Sequence, residues 1–130
     1  MTECVFCSLE VNDILVQNEM AQAIFDKFPV NEGHVLIVPK RHVASLFDLT
    51  PEEVMSIWRL VEQVKEMLNN RFHPDGFNVG VNEGAAAGQT IFHLHVHVIP
   101  RYYGDVPDPR GGIRKIKKSL VPYAGEGEVT

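Results

Sequence analysis

The stretch "GQTIFHLHVHVIPR", Gly88 to Arg101, sets histidines at every second position, His93, His95 and His97, alternating with Leu94, Val96 and Val98. Side chains on a β-strand alternate between its two faces. The spacing therefore predicts a strand with three imidazoles on one face and aliphatic side chains on the other. Three rings on one face point to a metal, a reaction, or both.

Working outward, "DILVQNEMAQAIFD" predicts two short strands, Ile14 to Gln17 and Met20 to Asp26, around a turn at Asn18 and Glu19. "GHVLIVPK" is a β-branched apolar run from Gly33 to Pro39, continuous enough for a buried central strand that Pro39 ends. "TPEEVMSIWRLVEQVKEMLNNRF" predicts a long helix, with Thr50 as N-cap, Pro51 at the first helical position and Glu53 closing a capping box. Val54, Ile57, Trp58, Val61, Val64 and Leu68 recur at helical spacing, so the stripe that includes Trp58 is expected to pack on the sheet. A second, short helix is expected near Ser45 to Phe47. After "HPDG", a turn beside which His73 reads as a surface residue, "FNVGVN" supplies another strand, and the small residues of "EGAAAG" lead into the histidines. The expected fold is α+β, a mostly antiparallel five-stranded sheet with one long and one short helix. It is organised as one domain with a core of about residues 3–101, and residues 102–130 read as an extended tail.

The chain has 130 residues, 45% hydrophobic and 22% charged, which suits one soluble globular domain. No apolar run approaches the roughly 20 residues of a membrane helix, and "MTECVF" lacks the basic start of a signal peptide. A cytoplasmic address without membrane contact is the expectation. A net charge of -5 argues against binding a nucleic-acid backbone. One basic patch, Arg110 to Lys118, holds five of the twelve Lys and Arg residues. It is either solvated surface or a local phosphate contact.

Two chemistries fit the histidines. Neighbouring rings on a strand, i and i+2, lie roughly 6 to 7 Å apart at the backbone and can share an ion, whereas His93 and His97 are too distant for an easy three-way chelate. Cys4 and Cys7, at C-x2-C spacing, with His42 just past the central strand, form a closed Cys2His2 set if His93 turns toward them. A closed set is structural. The second chemistry is attack on phosphorus by a neutral imidazole whose other ring nitrogen is anchored by an acceptor. Gln89 and Thr90, beside flexible Gly88, would then donate to the phosphate oxygens.

"HLHVHVI" matches the His-φ-His-φ-His-φ-φ pattern of the histidine triad (HIT) family, and the match runs upstream through "NEGAAAGQTIF" and "FDKFPVNEGHVLIVPKRH". The chain resembles that family over most of residues 3 to 101. The resemblance implies that His95 is a nucleophile forming a nucleotidyl-histidine with the α-phosphorus of a nucleotide, and that His97 contacts the phosphoryl and leaving-group atoms. It implies phosphate contacts by Asn82, Gly88, Gln89 and Thr90, ribose contact by Asp26, and a purine pocket lined by Phe6, Leu9 and Ile24. Resemblance to a bacterial branch implies structural zinc on Cys4, Cys7, His42 and His93, with no catalytic metal required. It further implies a homodimer whose two sheets join into ten strands.

The substrate class this implies is adenine nucleotides, dinucleoside polyphosphates such as diadenosine tetraphosphate in particular. "VIPR" and the following tail resemble the dinucleoside polyphosphate side of the family, which would set Arg101, Arg110 and Arg114 toward a polyphosphate by charge. The alternatives are an adenosine phosphoramidase and a non-catalytic nucleotide-binding dimer. Zinc-activated water is a further chemistry, which a closed four-ligand set disfavours.

Overall fold

In the computed structural model, residues 4–117 are described. They form β1 (Val16–Gln17), β2 (Ala21–Phe25), β3 (Val35–Pro39), α1 (Pro51–Phe72), β4 (Gly76–Gly80) and β5 (Val96–Arg101). The strands make one sheet in the order β1-β2-β3-β5-β4, every pair antiparallel. β3 lies at the centre and all five of its residues are buried, as its unbroken apolar run requires. The expected first strand shortens to Val16–Gln17, and the expected short helix is a 3₁₀ turn, Leu46–Asp48, capped by the Ser45 hydroxyl, which accepts from the Phe47 amide.

α1 covers one face. Val35 and Ile37 of β3, Ala21 and Ala23 of β2, and Val96 and Val98 of β5 meet Ile57, Leu60, Val61, Val64 and Leu68 there. The opposite face carries a smaller apolar cluster, Phe6, Ile24, Leu36 and Val38, with Cys4, Leu9 and Ile91 at its margin. β3 thus serves both layers with alternate residues. Gly33, just before it, has φ of +89°, and a β-carbon there would come within 3.0 Å of Phe72 and 3.2 Å of Pro100. Only glycine lets the chain enter β3 so close to the helix end.

Three further expectations change. The helix stripe is rotated: Leu60 is fully buried, while Trp58 and Val54 are 54% and 46% exposed. Val54 and Trp58, an i, i+4 pair, flank the stripe rather than form it. Two adjacent apolar rows leave the periodicity ambiguous until the sheet chooses one. Trp58 instead lines a groove with Val61, Val98 and the exposed Val79 of edge strand β4.

The histidine segment is also only partly strand. The ladder to β3 ends at Ile37↔Val96, so His97 lies in it and His93 and His95 precede it. Past Pro39 the partner strand is gone, and the Leu94 amide bonds the Val43 carbonyl instead (2.7 Å). Alternation persists: Leu94, Val96 and Val98 join the helix-side core. Last, residues 102–117 are not an extended tail. The Tyr102 hydroxyl bonds the Glu32 carbonyl (2.8 Å), Asp105 accepts from Asn31 (2.7 Å) and from Arg101, and Gly112–Lys115 form a 3₁₀ turn. The rest of the expected tail lies outside the described residues. Among the described residues, no helix is long and apolar enough to cross a membrane.

The capping box forms as expected and reaches further. Thr50 Oγ accepts from the Glu53 amide, and Glu53 accepts from the Thr50 amide and, through both oxygens, from Arg41 at 2.7 and 3.0 Å. Arg41 hydrogen bonds first, then the Thr50 amide, hold the Glu53 carboxyl down at about 2. A carboxylate whose folded pKa is depressed stabilises the protein above its ordinary pKa and loses that stabilisation as pH falls. The native melting temperature should therefore drop as pH falls from about 4.5 toward about 2, with a flatter acid limb and lower stability at pH 7 in Glu53→Gln; identical melting profiles for the two proteins would refute this.

Candidate functional site

Four ligand atoms gather where the N-terminal turn meets the loop after β3 and the segment before β5. The turn is closed by the Cys7 amide donating to the Cys4 carbonyl (3.1 Å), which brings both thiols to one side. His93 Nδ1 lies 3.4 Å from Cys4 Sγ, 3.5 Å from Cys7 Sγ and 3.2 Å from His42 Nδ1, and Cys7 Sγ lies 3.2 Å from His42 Nδ1. Tetrahedral zinc with ordinary bond lengths would set nitrogens about 3.3 Å apart and nitrogen from sulfur about 3.6 Å. The donors already stand near those edges.

The protons agree. His93 Nε2 is 2.8 Å from the Pro39 carbonyl, which only accepts, so Nε2 carries the hydrogen and Nδ1 presents a lone pair to the cluster. A ligand ring held by its far nitrogen is the usual outer support of a zinc site. His93 is fully buried, and burial, only partly opposed by the Pro39 bond, lowers its pKa, keeping the ring neutral as a ligand must be.

A second cluster, Asp26, His34 and His97, also brings its ligand atoms within 4.8 Å of one another. Here the protons argue differently. The Val30 amide donates to His34 Nδ1 (3.0 Å), so the one ring hydrogen sits on Nε2, which points to His97 Nδ1 at 3.0 Å and Asp26 Oδ2 at 3.4 Å. A metal on His34 Nε2 would require an imidazolate or the loss of the Val30 bond. This cluster is a chain of fixed donors: Val30 N–H to His34, His34 Nε2–H to His97 Nδ1, leaving the hydrogen of His97 on its Nε2. Burial first lowers both pKa values; neighbouring imidazoles lower His97 further, and Asp26 partly offsets the shift in each.

His95 lies between the clusters. Its Nδ1 is 3.0 Å from the His93 carbonyl, which claims the ring hydrogen and leaves the Nε2 lone pair outward. Phe6 packs on it (ring centroids 5.2 Å apart) and edge-on to His93 (5.7 Å), and the His95 and His97 rings are 5.1 Å apart.

The remaining expected residues divide. Phe6, Leu9 and Ile24 come together in the apolar cluster on this face. Asp26, at the end of β2, accepts from the Phe28 amide (3.0 Å) through its other oxygen. Gly88, with φ of +98°, turns the loop beside Asn82, whose Nδ2 would lie 4.0 Å from a β-carbon there, and both Asn82 and Thr90 are exposed. Gln89 is 5% exposed and spends its side chain on backbone: Nε2 donates to the carbonyls of Ala44 and Ile91, and Oε1 accepts from Gly84. Both amide protons are used, so Gln89 as placed shapes the loop.

Arg101 is held by Asp105 through two hydrogen bonds and by Asn78 through one, and Arg110 is paired with Asp108. His34 escaped the sequence reading. Its one signal was a histidine opening an otherwise apolar buried run.

The model of the HIT domain matches residues 10–104. A bis(5'-adenosyl)-triphosphatase of Dictyostelium discoideum is 33% identical over 115 residues, 88% of this chain and 77% of that protein. An AP-4-A phosphorylase of Mycobacterium tuberculosis is 37% identical over 105 residues, 80% of this chain and 54% of its own length. Among solved structures, a Zn-bound histidine triad family protein from Mycobacterium smegmatis superposes with a TM-score of 0.71 at 35% identity, covering 81% of this chain and 84% of that one.

The donor chain makes His34 a neutral Nε2–H tautomer. Because its pKa is lowered, it should stay neutral as pH falls below its ordinary value of 6.5, while the unfolded chain takes up the proton, so this group costs stability below that pH and nothing above it. Ring nitrogen-15 NMR across pH 5 to 8 reads the tautomer directly; a His34 that titrates near 6.5, or that carries its hydrogen on Nδ1, would contradict the arrangement.

Proposed function

The chain belongs to the HIT family, and we propose that it is a nucleotide hydrolase or transferase cleaving the α-phosphate linkage of adenine nucleotides, dinucleoside polyphosphates such as diadenosine tetraphosphate, through a covalent nucleotidyl-histidine on His95. The observation that carries this reading is the His95 Nδ1–H bond to the His93 carbonyl, which assigns the hydrogen of the neutral tautomer to Nδ1 and its lone pair to Nε2. Relatives named a triphosphatase and a phosphorylase of adenine dinucleotides support the substrate class.

In the first step, the His95 Nε2 lone pair forms a bond to the α-phosphorus, and the bond from phosphorus to the bridging oxygen breaks, its electrons leaving with the departing polyphosphate. The ring becomes cationic, and the His93 carbonyl stabilises that charge. Asn82 and Thr90 donate to the non-bridging oxygens, Asp26 accepts from the ribose hydroxyls, and Phe6, Leu9 and Ile24 take the base. In the second step, water, which gives up a proton to solvent, or a phosphate ion attacks phosphorus, the P–N bond breaks, and its electrons return to Nε2.

His97 decides the leaving group. Its Nε2–H offers a hydrogen bond to the departing oxygen, but handing the proton over would require one from His34, whose Nδ1 is closed by the Val30 amide. A polyphosphate leaves as an anion and needs only the hydrogen bond. An amine leaving group needs a proton, which favours the polyphosphate reading over the phosphoramidase.

The four-donor cluster holds a structural zinc in this reading, consistent with the Zn-bound relative. Cys4, Cys7, His42 and His93 would hold the zinc, which would tie the N-terminal turn to the loop after β3. The exposed groove of Trp58 and Val79 beside β4, the edge strand of the sheet among the described residues, is where a second copy would extend the sheet to ten strands.

His95→Ala should lower diadenosine tetraphosphate turnover on the order of 10⁴-fold with the melting temperature kept, and wild-type protein quenched in acid-free denaturant should carry a labelled adenylyl group. Undiminished turnover by the variant would end this mechanism. Faster cleavage of an adenosine phosphoramidate than of the dinucleotide would end the leaving-group assignment, and a product that changes from monophosphate to diphosphate when phosphate is added would identify a phosphorylase.

A further inference from the structure

Two contacts join the Cys4/Cys7/His42/His93 cluster to the proposed nucleophile, one through His93 and one through Phe6, which lies between the cysteines in sequence. His93 bears on the cluster with its ring and on His95 with its backbone: Nδ1 faces the thiols, and the carbonyl takes the His95 Nδ1 hydrogen at 3.0 Å. Phe6 stands between the two cysteines in sequence, is 6% exposed, and packs against the rings of both His93 and His95. The state of the thiols thus reaches His95 from both sides.

The thiols are also placed to react with each other. Cys4 and Cys7 Sγ lie within 4.8 Å, in a turn closed by the Cys7 amide, and both are free thiols. Cys7 is exposed, as is its neighbour His42, so a small oxidant in solvent reaches the pair without opening the core.

We propose that the Cys4–Cys7 turn is a redox gate on His95. Hydrogen peroxide takes two electrons from the pair: one thiolate attacks an oxygen, the O–O bond breaks, and a sulfenic acid and hydroxide result. The second thiolate displaces hydroxide from that sulfenic sulfur, forming the Cys4–Cys7 disulfide, and the two hydroxides are protonated to water. A disulfide no longer supplies two thiolate ligands, so a bound metal leaves as the aquated ion. The turn then tightens around a short S–S bond, Phe6 is drawn from the His95 ring, and the His93 ring keeps its Pro39 bond but loses its anchor at Nδ1, so its carbonyl is held less firmly. His93 is a positioning residue here, acting on phosphorus only through His95. A dithiol reductant with zinc reverses the change.

This inference rests on the reading of His95 as nucleophile, so its test includes a measure of His95 that does not pass through turnover. The full chain, reduced and loaded with one zinc, is titrated with hydrogen peroxide. Zinc release is read with a chromogenic chelator, disulfide by intact mass, helix content by circular dichroism, and the His95 ring by nitrogen-15 NMR. Diadenosine tetraphosphate hydrolysis is followed in parallel. Disulfide and zinc release should appear together, helix content should hold, the slowly exchanging Nδ1–H signal of His95 should be lost, and turnover should fall roughly 10-fold to 100-fold. Dithiothreitol with zinc should restore all of these.

Removing zinc from the reduced protein with a chelator should loosen the His95 signal without forming a disulfide, which separates metal loss from sulfur chemistry. An unchanged His95 signal in the disulfide form, or helix loss accompanying oxidation, would overturn the gate. Failure of the reduced protein to take up an adenylyl group, with the His95 signal still responding to peroxide, would overturn the nucleophile reading and leave the coupling standing.

Discussion

A neutral imidazole has one hydrogen and two nitrogens, and in this protein backbone groups decide where the hydrogen goes. The Pro39 carbonyl claims it at Nε2 of His93, the His93 carbonyl claims it at Nδ1 of His95, and the Val30 amide excludes it from Nδ1 of His34. From those three bonds follow a ring whose lone pair faces two thiols, a ring whose lone pair faces outward, and a ring that passes a hydrogen bond to His97. A net hydrogen bond is worth only about 1 kcal/mol. Its larger effect here is to select one of two tautomers, and so one of two chemistries, at each ring.

The sheet makes those bonds possible. β3 ends at Pro39 just where the histidine segment runs past it, so the Pro39 carbonyl, freed of ladder duty, turns to His93. The ladder resumes at Val96, which fixes His97 opposite Leu36 and Gly80. His34 enters at the start of β3, where Gly33 passes against the helix end, and so meets His97 across the pair of strands. The apparent defect of the histidine strand, that it is not strand at His93 and His95, is what releases their backbone and rings for other partners.

Much of the fold was legible in the chain. The capping box at Thr50 and Glu53, the buried run of β3 and the two hairpin strands all carry local signals, and each formed close to its expected place. The helix face was not legible to the same degree. Val54 and Trp58 continue one apolar row and Leu60 begins another, and nothing local ranks them. Likewise the ion pair of Arg101, set toward a polyphosphate from sequence, was not legible because its partners, Asp105 and Asn78, are brought to it by the turn after β5 and by β4.

What the sequence determined by itself was the alternation of histidines, the C-x2-C pair and the period of each element, because these depend on neighbours within a few positions. What only the tertiary structure decided was which nitrogen of each ring is free. That depends on a carbonyl 54 residues from His93 and, for His97, on a ring 63 residues away whose own hydrogen is set by Val30. Hydrogen-bond acceptance is a property of a place in space, and the chain reaches that place only when β3 and β5 lie side by side.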